Sequence, residues 1–179
     1  EKASSKHYGG AIFVDHASGY IFVHLQSQLN SHETIKGKEA LEELCDSHGV
    51  VVQQCLADGH SSFTGEAFAQ HLKNFHQTMG LAPPAAHHSN GIAERGIGSV
   101  LSLARAMLHH VAIHWPDIND LELWPLAVLH AAYILNRVPR EDSGLSPYKL
   151  FTRKTWPRSK LHDLHVWGCP AYMLNGKLA

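Results

Sequence analysis

Ala11-Ile12-Phe13-Val14-Asp15-His16-Ala17-Ser18-Gly19-Tyr20-Ile21-Phe22-Val23-His24-Leu25 is two apolar runs on either side of a short polar turn. Runs rich in aromatic and β-branched residues, bounded by Asp, Ser and Gly, read as strands. The stretch therefore predicts a hairpin, with Asp15 closing its first strand. Downstream, Asn30 or Ser31 caps a helix to about Ser47, with Ile35, Ala40, Leu41 and Leu44 on its apolar side and Gly49 at the C′ position. Residues 50–56 are the next strand, which runs into Ala57-Asp58-Gly59.

Beyond that point the pattern turns helical. Phe68, Leu72, Phe75 and Met79 recur at helical spacing and predict a helix over 65–79, with Pro83-Pro84 blocking any continuation. Residues 85–90 are a polar loop. A long helix is expected from Gly91 to about His110, with Ile97, Val100, Leu101, Ala104, Met107, Leu108 and Val111 as its buried stripe. A turn at 115–120 leads to a helix over 121–136, apolar on most sides and so expected to be well buried. Ser146-Pro147 opens a short helix through Phe151. Residues 166–174 read as a strand interrupted by Gly168 and Pro170. Strands, a helix, a strand and then mostly helices make an α/β layer with a small mixed sheet.

The length of 179 residues suits one domain with a sizeable core, and an apolar share of 44% with 17% charged residues is globular rather than disordered. No run of some 18 apolar residues is evident, so neither a membrane span nor a membrane partner is expected. The first residues lack the apolar stretch of a signal peptide. Cys45, Cys55 and Cys169 are odd in number and form no CxxC, which excludes a zinc ribbon and fits reduced thiols in an intracellular protein. The net charge of −1 is low for a nucleic-acid binder, but 137–160 is locally basic, with Arg137, Arg140, Lys149, Arg153, Lys154, Arg158 and Lys160 against Glu141 and Asp142.

Asp15 and Asp58 each follow a strand, and Glu94 falls in the first turn of the long helix. Neighbouring strands would put both aspartates on one rim, where α/β sheets place ligands. Crowded carboxylates need a counter-charge, and a hard divalent cation such as Mg²⁺ is held by such groups. Each residue also has a plain structural explanation: a turn or cap aspartate after a strand, and a glutamate favoured by the helix dipole.

With 35 residues between Asp58 and Glu94, the three acids resemble the DDE triad of retroviral and retrotransposon integrases. The surroundings carry the likeness further. Phe13-Val14-Asp15-His16-Ala17-Ser18-Gly19-Tyr20 is similar to that family's first strand and turn, and Asn90-Gly91-Ile92-Ala93-Glu94-Arg95 to the segment around its catalytic Glu. Leu123-Trp124-Pro125-Leu126-Ala127-Val128, Leu135-Asn136-Arg137-Val138-Pro139, Ser146-Pro147-Tyr148 and Val166-Trp167-Gly168-Cys169-Pro170-Ala171-Tyr172 resemble copia-type integrases in particular. Two departures stand out: His60 follows Asp58-Gly59 without the family's usual Asn, and Gly96-Ile97-Gly98-Ser99 replaces basic and amide residues after Arg95.

The resemblance implies a ribonuclease-H-like α/β fold: a small mixed sheet flanked by helices, with a mostly helical C-terminal extension. It divides the chain into a polar lead-in (1–8), a catalytic core (9–140) and a copia-type extension packed on it (141–179). It implies an integrase, a two-metal-ion polynucleotidyl transferase and endonuclease that performs 3′-end processing and strand transfer of retrotransposon DNA. Asp15, Asp58 and Glu94 would be both catalytic and metal-binding, with two Mg²⁺ or Mn²⁺ ions. Arg95, His87, His88 and Asn90 are the candidate DNA contacts, although a histidine pair in a loop is more often only solvated. The implied partners are retrotransposon DNA ends, target DNA and a second copy in a homodimer or higher oligomer. The implied setting is a cytoplasmic particle and then the nucleus. The alternative is a catalytically silent core that dimerises or docks on DNA or chromatin.

Overall fold

The computed structural model describes residues 7–57, 61–81, 91–118 and 120–171. Strands β1 (Gly9–Val14) and β2 (Ile21–Gln26) pair antiparallel, with Ile12 opposite Val23 and Val14 opposite Ile21. Helix α1 (Ser31–Ser47) follows; its N-cap Asn30 accepts a hydrogen bond from the Glu33 amide, and Gly49 takes φ +67° just after its end. Strand β3 (Gln54–Ala57) is parallel to β4 (Thr78–Leu81), and α2 (Ser61–Thr64) and α3 (Glu66–Asn74) lie between them in the chain. Then come α4 (Gly91–His114), α5 (Trp124–Leu135) and α6 (Pro147–Thr152), with short 3-10 turns at Pro116–Ile118, Leu121–Leu123 and Arg158–Leu161.

Alternation along the hairpin decides which helix sits on which face. Ile21, Val23 and Leu25 of β2, with Ile12 and Val14 of β1, turn toward α4 and α5 and build the main core with Val100, Ala104, Ala127, Val128, Ala131 and Ala132. His24 faces the other way and meets α1, where a Cβ added at Gly37 would stand 2.9 Å from its ring. The alanines at the α4–α5 contact let the two helices approach closely. Asn136, just past α5, ties that layer to the hairpin: it accepts from the Ile21 amide at 2.8 Å and donates to the Ile21 carbonyl at 2.8 Å.

The mixed α/β class expected from the sequence holds: among the described residues the strands form two small two-stranded ladders, one antiparallel and one parallel. Several finer expectations are corrected. Residues 50–53 are not strand, since β3 begins only where β4 supplies a partner, and Val51 is exposed. The helix predicted over 65–79 ends at Asn74: His76 adopts φ +55°, and Met79 pairs with Cys55 in β4. The buried stripe of α1 is Thr34, Gly37, Lys38, Glu42 and Cys45, not Ile35, Ala40, Leu41 and Leu44. Lys38 is fully buried and donates to Glu42 and to Gln77 Oε1 at 2.7 Å, while Gln77 also donates to Glu42 at 2.5 Å.

Helix α5 buries its small face (Pro125, Ala127, Val128, Ala131, Ala132) and exposes Leu126 and Leu129. Residues 166–171 form no strand. Gly168, at φ +80°, lies so close to Val111 that any Cβ there would collide with that side chain. By length and composition α4 is apolar enough to cross a membrane, although its sequence holds no unbroken apolar run of that length. It carries Glu94, Arg95 and Arg105, and Val100, Ala104 and Val111 are its buried residues.

The segment after α5 returns to the core through aromatic contacts. The Arg137 guanidinium lies 3.4 Å from the Tyr133 ring centre, 4.0 Å from Trp156 and 5.0 Å from Tyr148. Phe151 of α6 stacks on Tyr20 at 4.4 Å.

Candidate active site

The hairpin turn that follows β1 is built around Asp15. Its Oδ2 accepts from the Ser18 amide at 2.8 Å and the Ser18 hydroxyl at 2.6 Å, while its own amide donates to the Tyr20 carbonyl at 2.9 Å. Ser18 is buried, so half-buried Asp15 is held in one orientation. Among the described residues, Oδ1 makes no hydrogen bond. Cys45 of α1 lies behind it. Burial first, and then the charge of Asp15, push the Cys45 thiol up to about 11.

Helix α4 brings Glu94 to this neighbourhood by a close approach at Gly96, where an added Cβ would stand 2.8 Å from Val14 Cγ2. Val14 is the residue before Asp15. Glu94 is exposed in the first turn, and Arg95 beside it folds back, its Nη1 3.5 Å from a Cβ built at Gly91. A cavity of about 690 Å³ opens between β1 and β3, lined among others by Asp15, His16, Cys45, Ala57, Ile92 and Ala93. Its wall thus includes Asp15, the residue that precedes Asp58 and the residue that precedes Glu94.

No protein-family model matches the chain. Among curated proteins, the retrovirus-related Pol polyprotein from transposon RE1 of Arabidopsis thaliana is 29% identical over 167 residues, which is 90% of this chain and 10% of that polyprotein. The chain therefore spans about a tenth of the length of this relative. Among solved structures, the HTLV-2 integrase catalytic core domain in complex with magnesium superimposes in its trimeric form with a TM-score of 0.59 at 20% identity, covering 81% of this chain and 90% of that one. Its dimeric form gives 0.56 at 19%, covering 79% and 82%. A simian T-cell lymphotropic virus intasome in complex with a PP2A regulatory subunit gives 0.61 at 16%, covering 92% and 51%.

The fold is that of an integrase catalytic core. The resemblance to copia-type retrotransposon integrases read from the sequence is borne out by the RE1 match together with these neighbours. Within this fold, Asp15 and Glu94 sit at the ends of elements that touch at Val14 and Gly96. Asp58, His87, His88 and Asn90 lie outside the described residues. Among the described residues no three Asp, Glu, His or Cys side chains cluster as a metal site. The candidate donors are carboxylate oxygens, which suit a hard divalent cation, and Asp15 retains an oxygen that Ser18 does not occupy.

Sequence reading missed four contributors to this region. Ser18 could have been found, because an Asp followed by Ser three residues on is a common side-chain-to-backbone turn. Gly96, noted only as a departure from the family, is where the helix and strand touch. Cys45 and Asn136 leave no local signal, since each acts across distant sequence.

Proposed function

We propose that the chain is the catalytic core of a DDE-type integrase that processes and joins retrotransposon DNA ends to target DNA. One observation supports the reading: a cavity is lined by Asp15, by Ala57, which precedes Asp58 in the chain, and by Ala93, which precedes Glu94. Asp15, Asp58 and Glu94 would hold two Mg²⁺ or Mn²⁺ ions. Bound there, such ions neutralise charge building on a phosphate, activate an attacking oxygen and stabilise a leaving one.

The reaction class is in-line displacement at phosphorus. In end processing, water bonds to phosphorus and the bond to a 3′ oxygen breaks, which leaves a 3′-hydroxyl. In strand transfer that hydroxyl attacks a target phosphate and releases another 3′ oxygen. No covalent enzyme intermediate is required. Ser18 keeps the Asp15 carboxylate aimed, and Arg95 is suited to a phosphate beside Glu94. On this reading residues 9–140 are the core and 141–179 the copia-type extension, and the protein works in a cytoplasmic particle and then the nucleus.

A second copy is the proposed partner. Leu101 and Ile113 of α4 and Leu126 and Leu129 of α5 are exposed, with Ile113 at 75% and Leu126 at 56%. An exposed apolar stripe of this kind marks an interaction surface, and two DNA ends call for two cores. Sedimentation at micromolar concentration should show a dimer that grows with concentration; a monomer throughout removes it.

The deciding experiment is a joining assay with paired DNA ends and target duplex in Mn²⁺, using the full-length protein. Asp15→Asn, Asp58→Asn and Glu94→Gln should each lose joining by more than about a hundredfold while keeping their fold. No joining by the wild-type protein, with DNA binding retained, would leave only the docking-module alternative; undiminished joining by Glu94→Gln would remove Glu94 from the site.

A further inference from the structure

Away from the Asp15 rim, the densest run of positive charge begins at α6. Between Asp142 and Asp163 the chain carries Lys149, Arg153, Lys154, Arg158 and Lys160 and no acidic residue. The whole chain has a net charge of −1, so this is a local excess and not a general basicity. Lys149, Arg153, Lys154 and Lys160 are exposed, and none forms an ion pair among the described residues. Arg140, by contrast, is tied to Asp142 at 2.9 Å.

This segment is fastened to the hairpin. Ser146 caps α6 by accepting from the Lys149 amide, Phe151 stacks on Tyr20, and the Tyr20 carbonyl accepts from the Asp15 amide. Two contacts therefore separate α6 from the candidate catalytic carboxylate. Arg153 ends the helix at φ +59°, in the left-handed region where glycine is the ordinary occupant. A long cation is held there against backbone preference, and such strain clusters at working surfaces.

We propose that α6 and the turn after it form a track for the phosphate backbone of duplex DNA, entering the site beside the Asp15 hairpin. The choice of DNA rests on the integrase reading above. Exposed lysines and arginines without neighbouring acids contact phosphates irrespective of sequence. Single-stranded binders add aromatic platforms for unpaired bases. Trp156 is not such a platform, because Arg137 lies 4.0 Å and Lys160 5.3 Å from its ring centre. A duplex is therefore the partner that fits.

The test is fluorescence anisotropy of the full chain with labelled duplex in EDTA, over about 50–200 mM salt, where log K falls by about 0.9 per phosphate contact per decade of salt. Arg153→Gly should melt at or above the wild-type temperature, since glycine relieves the positive φ, yet lower the salt slope by about 1. Lys149→Gln/Arg153→Gly/Lys154→Gln should lower it by about 3 and weaken duplex binding at least about tenfold at 100 mM salt. Lys73→Gln, which removes an exposed cation from α3, should change neither. A single strand of equal length should bind more weakly and lose less in the triple variant. A wild-type slope in the triple variant overturns the track, as does an equal loss with single strand or with Lys73→Gln. EDTA separates this outcome from the integrase reading: a working track with no metal-dependent joining sinks only the catalytic proposal.

Discussion

Asn136 and Ile21, 115 residues apart, exchange two hydrogen bonds of 2.8 Å, so a side-chain amide reads the hairpin backbone as a neighbouring strand would. Asn136 is buried, and its own carbonyl accepts from the Tyr148 amide at 2.7 Å, joining β2, α5 and α6 at one residue. Asn136→Leu leaves a buried donor and acceptor of Ile21 unpaired, each worth about 1–3 kcal/mol. Chemical denaturation should show a loss of about 2–5 kcal/mol. A loss under about 1 kcal/mol would mean that water satisfies the strand and the joint is dispensable.

Gly96→Ala forces a methyl group to within 2.8 Å of Val14 Cγ2. The Val14 side chain, the strand or α4 must then shift near Asp15 and Glu94. Metal-dependent joining is expected to fall by at least about tenfold, more than the modest loss of stability of about 1–3 kcal/mol explains. Gly98→Ala is the control: no atom lies within 4 Å of its added Cβ, and it should melt at or slightly above the wild-type temperature. Equal joining by both variants would show that the close approach does not matter to the site.

The hairpin, the capped α1 with its C′ glycine, the long α4 and the Ser146-capped α6 were all legible in the sequence, because each depends on neighbours a few residues away. The candidate triad was legible only through resemblance. What could not be read depends on distant partners. Met79 fits a helical stripe with Phe68 and Phe75, but pairing with Cys55 draws it into a strand. Lys38 and Glu42 look like solvated charges, yet Gln77, 39 and 35 residues away, completes a buried network around them. Leu126 and Leu129 match the expected apolar helix, but the alanines pack closer and leave the leucines outside.

That network carries a prediction of its own. Lys38→Met leaves Glu42 buried without its cation and should destabilise the fold by about 3–5 kcal/mol. Lys38→Met with Glu42→Leu replaces the pair by apolar volume and should recover most of the loss. Urea titrations of both variants decide it; a double variant as unstable as the single would show that Gln77 and neighbouring His71 need the pair.

Cys45 offers a pH test. Its thiol is pushed from 9.0 up to about 11 by burial, reinforced by the charge of Asp15. The folded state therefore holds its proton longer than the unfolded chain does. The resulting stability is complete below about pH 9 and disappears as pH rises through about 11. Thiol alkylation at pH 8 should label exposed Cys169 and spare Cys45. Asp15→Asn removes the reinforcing charge and should move the Cys45 titration downward. An unchanged titration would show that burial alone sets it.

The box of Tyr133, Tyr148 and Trp156 around Arg137 has a consequence for inheritance. The cation and one ring come from α5 and its end, while the other two rings come from beyond residue 146. A crossover between related genes that fell at the 140–146 connection would place one lineage's guanidinium among another lineage's rings. Chimaeras of that kind keep a sound joint only when both parents use the same cation and the same enclosure. The two stretches are thus expected to be inherited as one block and to drift in step, although the chain between them is exposed and would otherwise be a convenient place to recombine.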